Sequence, residues 1–124
     1  MIYLDTHIIV WLYGGQIERL SSKAKNLINE NEIYISPIVS LELQYLFEIE
    51  RIAQKSQTVL QSLSETIGLK VCEKNFYQIV KYAQQFAWTR DPFDRIIAAQ
   101  AALDANTLVT KDQNLLTHFK LAVW

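Results

Sequence analysis

The sequence predicts an α/β fold: a mostly parallel sheet of four or five strands with helices on both faces. Four short β-type runs are spread along the chain, at Met1–Leu4, Ile33–Ile35, Leu69–Cys72 and Thr107–Thr110. The stretches between them are long and carry apolar residues at helical spacing. Strands separated by helices of that length need crossover connections, and these give parallel pairing. The 124 residues match one domain, residues 1–124, and are too few for two ordinary cores.

Each element has a local reason. Met1–Leu4 opens the first strand, and Gly14-Gly15 ends the helix that follows it. Ser21 is placed to cap a helix running through Asn31. Ser36, with Pro37 in the first turn, opens another helix that is expected to reach about Arg51. Lys55 to Thr66 reads as a helix stopped by Gly68. Phe76 to Trp88 and Pro92 to Ala105 are the last two predicted helices, separated at Asp91-Pro92 because a residue before proline avoids helical backbone.

Composition excludes several classes. Half of the residues are hydrophobic and 20% are charged, so the chain is not intrinsically disordered. Twelve basic against 13 acidic residues give a net charge of −1, which lacks the basic excess of a protein gripping long duplex DNA. Cys72 is the only cysteine, which removes intrachain disulfides and cysteine-rich zinc sites. The longest apolar run, Ile8 to Tyr13, is far below the roughly 18–20 residues of a membrane span. No basic segment precedes it, so no secretory signal is expected. A soluble protein of the cytoplasm, with no membrane partner, is the expectation.

In parallel sheets chemistry gathers beyond the carboxyl ends of the strands. Asp5 directly follows the first strand, and Asp112 follows the last one by two residues. Each also suits a helix N-cap. In Asp91-Pro92-Phe93-Asp94, Asp91 suits the cap and Asp94 the third helical position. Glu42 is different, because on a helical wheel it lies opposite the polar face of Ser40, Gln44, Glu48 and Arg51, among Ile38, Tyr45 and Ile49. A carboxylate on an apolar face must be paired with a base, protonated or bound to a metal. Ala98 and Ala101 share a stripe with Asp94, so that helix can sit close to the sheet. Carboxylates that converge repel and need a cation; all-oxygen ligands select Mg²⁺, with Mn²⁺ able to substitute. Such a centre suits phosphodiester hydrolysis.

Other residues offer less. His7 lies two residues from Asp5, but His118 has no carboxylate partner by spacing. A Ser36, His7 and Asp5 triad lacks a nucleophile elbow. Gly14-Gly15 is not a phosphate-binding loop. Arg90, Arg95 and Lys111 border the acidic positions and suit contacts to the phosphates of a nucleic-acid substrate. Trp11, Tyr13, Trp88 and Phe93 are suited either to base stacking or to packing.

The motifs together resemble the PIN-domain ribonucleases, specifically the VapC-type toxins of prokaryotic toxin–antitoxin pairs. Four segments carry the resemblance: Leu4-Asp5-Thr6-His7 with Trp11; Ile35-Ser36 through Ser40-Leu41-Glu42; Asp91-Pro92-Phe93-Asp94-Arg95 through Ala98-Ala99-Gln100-Ala101; and Val109-Thr110-Lys111-Asp112. Their order covers nearly the whole chain. One departure is Leu41, where the family usually has an aromatic residue before the glutamate. The resemblance implies that Asp5, Glu42, Asp94 and Asp112 form a catalytic, metal-binding set, with Thr6 or Thr110 assisting by hydrogen bonds. It implies a Mg²⁺-dependent endoribonuclease acting on translation-linked RNA such as tRNA or rRNA. It further implies a homodimer silenced by a small DNA-binding antitoxin. Two alternatives stand beside it: a non-catalytic PIN-like scaffold, and aspartyl-phosphate chemistry at Asp5, which His7 disfavours by occupying the place of a second aspartate.

Overall fold

The computed structural model describes residues 1–124. Its strands are β1 (Ile2–Leu4), β2 (Ile33–Ile35), β3 (Lys70–Val71), β4 (Thr107–Val109) and β5 (Ala122–Val123). They form one all-parallel sheet in the order β3-β2-β1-β4-β5. Consecutive residues Ile2, Tyr3 and Leu4 are all buried although neighbours on a strand point to opposite faces, so both faces of the sheet are covered. The fifth strand was not among the four predicted runs. It has only two residues, too few to show a period of two, and pairing with β4 defines it.

The helices are α1 (Thr6–Tyr13), α2 (Ser22–Glu30), α3 (Pro37–Glu48), α4 (Ser56–Ile67), α5 (Phe76–Ala83), α6 (Pro92–Ala102) and α7 (Gln113–His118), with a 3₁₀ turn at Ile17–Arg19 after α1. Side chains of Asp5, Ser21, Ser36, Asn75, Asp91 and Asp112 cap six of them. Gly68 ends α4 in left-handed backbone at φ 72°, where its N–H donates to Ser64 and that of Leu69 donates to Leu63.

Three helices are shorter than the sequence predicts. The one expected to reach Arg51 stops at Glu48, and Glu50 turns the chain with φ 61°. The one expected to reach Ala105 stops at Ala102, and Ala105 turns with φ 55°. The helix expected over Phe76–Trp88 ends at Ala83, because the Arg95 guanidinium takes the carbonyls of Ala83 and Gln84 at 3.2 and 3.1 Å. Phe86 and Trp88 then fold back onto the core.

The order of the strands positions the site. From β1 the chain first fills one side of the sheet with β2 and β3, then returns to place β4 and β5 on the other side. The reversal falls between β1 and β4, where a crevice opens beyond the carboxyl ends. Leu4 is in register with Val109, so Asp5 and Thr110 leave the sheet side by side at that point.

Candidate active site

Asp5 stands at the floor of the crevice, almost fully buried. Its Oδ1 accepts the Thr6 N–H at 2.7 Å, which caps α1, and its Oδ2 accepts the Thr110 hydroxyl at 2.6 Å. Burial raises its pKa, and these two hydrogen bonds oppose the rise. Thr6 is fully buried, and its hydroxyl donates to Glu42 Oε1. Each threonine thus fixes one carboxylate, Thr110 fixing Asp5 and Thr6 fixing Glu42.

Glu42 is half-buried, for a reason the helical wheel did not supply. The core-facing side of α3 is Val39 and Leu43, whereas Tyr45 and Ile49 are 49% and 44% exposed. The apolar face assumed around Glu42 is therefore largely a surface, shared with Leu41 at 57% exposure. Glu42 lies on the flank between the two and turns toward Thr6. Burial raises its pKa first, opposed by the Thr6 hydrogen bond, and the Asp5 charge raises it further.

Asp94 lies in the first turn of α6. Ala98 and Ala101 below it are fully buried, so the helix packs tightly against its neighbours. Asp91 does the capping, accepting the Phe93 and Asp94 N–H groups at 2.9 and 3.4 Å, which leaves the Asp94 carboxyl free for the crevice. Its pKa is pushed up to about 8, first by burial and then by the charges of Asp91, Asp5, Asp112 and Glu42. Asp112 is exposed and caps α7, accepting the Leu115 N–H at 2.9 Å, while its charge still acts on Asp5 and Asp94. At Asp5 and Asp112 a cap and a place in the acidic cluster coexist.

Four chain segments therefore bring Asp5, Glu42, Asp94 and Asp112 into mutual electrostatic range. As the side chains stand, no three of them are close enough to ligate one ion. Asp5 and Glu42 are each held by a threonine hydroxyl. The donor set fits a hard divalent cation in its chemistry: all oxygen, and carrying charge that a cation would relieve. Closing on an ion takes side-chain rotation.

The flanking residues divide. Arg95 is committed to the carboxyl end of α5, and Arg90 donates to the Ala87 carbonyl at 2.7 Å. Trp88 stacks on His118, with centroids 5.5 Å apart and planes 8° apart, and Phe93 stacks on Tyr45 at 6.3 Å. Tyr13 packs against the core. Lys111 is exposed beside Asp112 and lies over the rings of Trp11 and Trp124. Nothing in the spacing connects Trp124 with the site; the short apolar run Leu121-Ala122-Val123 was the one available signal of the strand that carries it there.

The PIN domain family model matches residues 2–119. Ribonuclease VapC22 of Mycobacterium tuberculosis is 32% identical over 123 residues, covering 94% of this chain and 91% of that protein. Solved structures share the fold, among them two toxin–antitoxin complexes. The VapBC2 complex of Rickettsia felis, bound to a promoter DNA fragment, has a TM-score of 0.69 at 24% identity, covering 99% of this chain and 96% of that one. A toxin–antitoxin complex from Klebsiella pneumoniae has a TM-score of 0.68 at 19% identity, covering 100% and 97%. The chain belongs to the PIN-domain family, as a VapC-type member.

Proposed function

We propose that the protein is a divalent-metal-dependent endoribonuclease that cuts structured, translation-linked RNA such as tRNA or rRNA, and that a cognate antitoxin silences it as a toxin. The observation that carries this reading is the gathering of four carboxylates at the β1/β4 reversal with the Asp94 carboxyl pushed up to about 8. A cluster that is electrostatically unfavourable by itself is suited to holding cations beside a phosphate. The kinship with Ribonuclease VapC22 supports the reaction class, and toxin–antitoxin complexes among the structural neighbours support the partner.

Asp5, Glu42 and Asp94 would hold the ion, with Asp112 beside them, and Mg²⁺ fits this donor set, Mn²⁺ substituting. The bound cation supplies charge neutralisation and activation at the scissile phosphate. The chain's own residues do the rest. Thr110 and Thr6 fix the oxygens of Asp5 and Glu42. Asp94 must release its proton before it can bind the ion, so occupancy rises as pH approaches about 8. Lys111, and Arg90 where its donors remain free, are placed for neighbouring phosphates; Arg95 is mostly spent on α5.

A homodimer fits the exposed stripe of Leu41, Tyr45 and Ile49 on α3, continued by Phe93, because an apolar patch of this kind marks an interaction surface. The alternative, a scaffold that binds without cutting, draws on the fact that no three carboxylates stand within reach of one ion. Incubating the purified protein with tRNA and rRNA in Mn²⁺ or in chelator, alongside Asp5→Asn and Asp94→Asn, decides between them. Metal-dependent cleavage absent from both variants supports the nuclease. Cleavage retained in both, or absent from the wild type, sinks it.

A further inference from the structure

We propose that Trp11, Trp124, Lys111 and Arg19 form a binding ledge for the unpaired RNA strand that flanks the scissile phosphate. The two indoles hold the cations in place and offer ring surface to a base. The inference rests on the nuclease reading above and adds to it where the substrate strand runs.

The ledge is built from three separated parts of the chain. Thr110 donates its hydroxyl to Asp5, and its N–H donates to the Val123 carbonyl at 3.0 Å, so β5 delivers Trp124 to the same end of the sheet as the carboxylates. Lys111 follows Thr110, with Nζ 5.9 Å from the ring centre of Trp11 and 5.8 Å from that of Trp124. Arg19 lies over Trp11 at 5.6 Å. The two indoles meet edge to face, with centroids 6.0 Å apart, and the exposed His7 ring is 6.4 Å from Trp11 on the site side.

Neither cation is spent on a carboxylate, since the protein's two ion pairs are Lys70–Glu32 and Lys74–Asp104. Both are exposed, whereas Trp11 and Trp124 are partly buried and so fixed in position. An ammonium gripped between two rings loses the freedom of a surface lysine, and its charge stays available to an incoming anion. In a chain of net charge −1 such a local group of free cations is not a by-product of a basic surface. Single-stranded RNA alternates phosphate charge with planar bases, and the ledge alternates cation with indole. An acidic peptide would match the cations without using the rings.

The test uses fluorescence anisotropy with a fluorescein-labelled single-stranded RNA of about 12 nucleotides and mixed sequence. All proteins carry Asp94→Asn, so that no cutting occurs. Trp124→Leu is expected to weaken binding about 5- to 50-fold, and Trp124→Phe to recover most of the loss. Lys111→Gln should flatten the dependence of log affinity on log salt by about 0.7. Trp88→Phe, on the His118 stack, should leave both readouts unchanged. Wild-type affinity and salt slope in both Trp124→Leu and Lys111→Gln would overturn the ledge. So would variants that keep RNA binding but lose the complex with a purified antitoxin, which would assign the surface to a protein partner. If an otherwise wild-type protein cuts RNA while the ledge variants bind normally, the ledge fails and the nuclease stands. If that protein never cuts but binds through the ledge, the nuclease reading fails alone.

Discussion

Replacing Asp94 with asparagine should stabilise the metal-free protein, and the gain should depend on pH in a defined direction. The folded carboxyl titrates at about 8 because of burial and four neighbouring carboxylates. In the unfolded chain it titrates at about 4. Below about pH 4 both states are protonated and no penalty exists; above about pH 8 both are ionised and the folded state bears it in full. Stability is therefore lost as pH rises through that window, opposite in sign to an ion-paired aspartate. Full linkage would amount to about 5.5 kcal/mol, and solvent screening of a partly exposed side chain reduces this to roughly 2–3 kcal/mol. For a domain of this size the entropy of unfolding is about 0.26 kcal/mol per kelvin, so the melting temperature should fall by about 8–12 °C. Melting curves in chelator at about pH 5 and about pH 8.5 measure it directly. Asp94→Asn should exceed the wild type by about a quarter of the full difference at the lower pH and by all of it at the higher one, and lose most of the pH dependence. Mn²⁺ at ten times its dissociation constant should return about 1.4 kcal/mol to the wild type, or about 5 °C, and much less to the variant. A variant less stable than wild type at the higher pH would refute this reasoning. Asp94 would then be a helix-start carboxylate favoured by the α6 dipole, not a member of a repelling cluster.

Other outcomes follow from single contacts. Thr110→Val leaves a buried oxygen of Asp5 without its donor, so it should cost about 1–3 kcal/mol in a denaturant titration and slow RNA cleavage. Asp91→Ala removes the cap of α6 and should cost about 0.5–2 kcal/mol, yet lower the titration midpoint of Asp94, readable by carboxyl NMR. Arg95→Gln should destabilise by about 1–2 kcal/mol through the α5 carbonyls while leaving the salt dependence of RNA binding unchanged. Tyr45→Arg places a charge on the exposed stripe of α3 and should shift the molar mass measured by light scattering from dimer to monomer; an unchanged mass would take the dimer off this face.

The sequence by itself determined the α/β class, the places of four strands, the caps at Ser21, Ser36, Asp91 and the two site aspartates, and the family. These rest on local physics. A cap needs only its own side chain and the next few N–H groups, and a helix stop at Gly68 needs only one left-handed residue. Tertiary structure decided what depends on distant partners. The helix predicted to reach Trp88 ends at Ala83 because a guanidinium 12 residues away claims its last carbonyls. Glu42 is half-buried through Thr6, 36 residues earlier, although Tyr45 and Ile49 beside it on the wheel face solvent. Trp124 reaches the acidic end of the sheet only because β5 pairs with β4. A period of apolar residues records which sides of a helix avoid water on average. It does not record which neighbour covers each side, because that is set by packing between segments whose separation along the chain carries no local energetic signature.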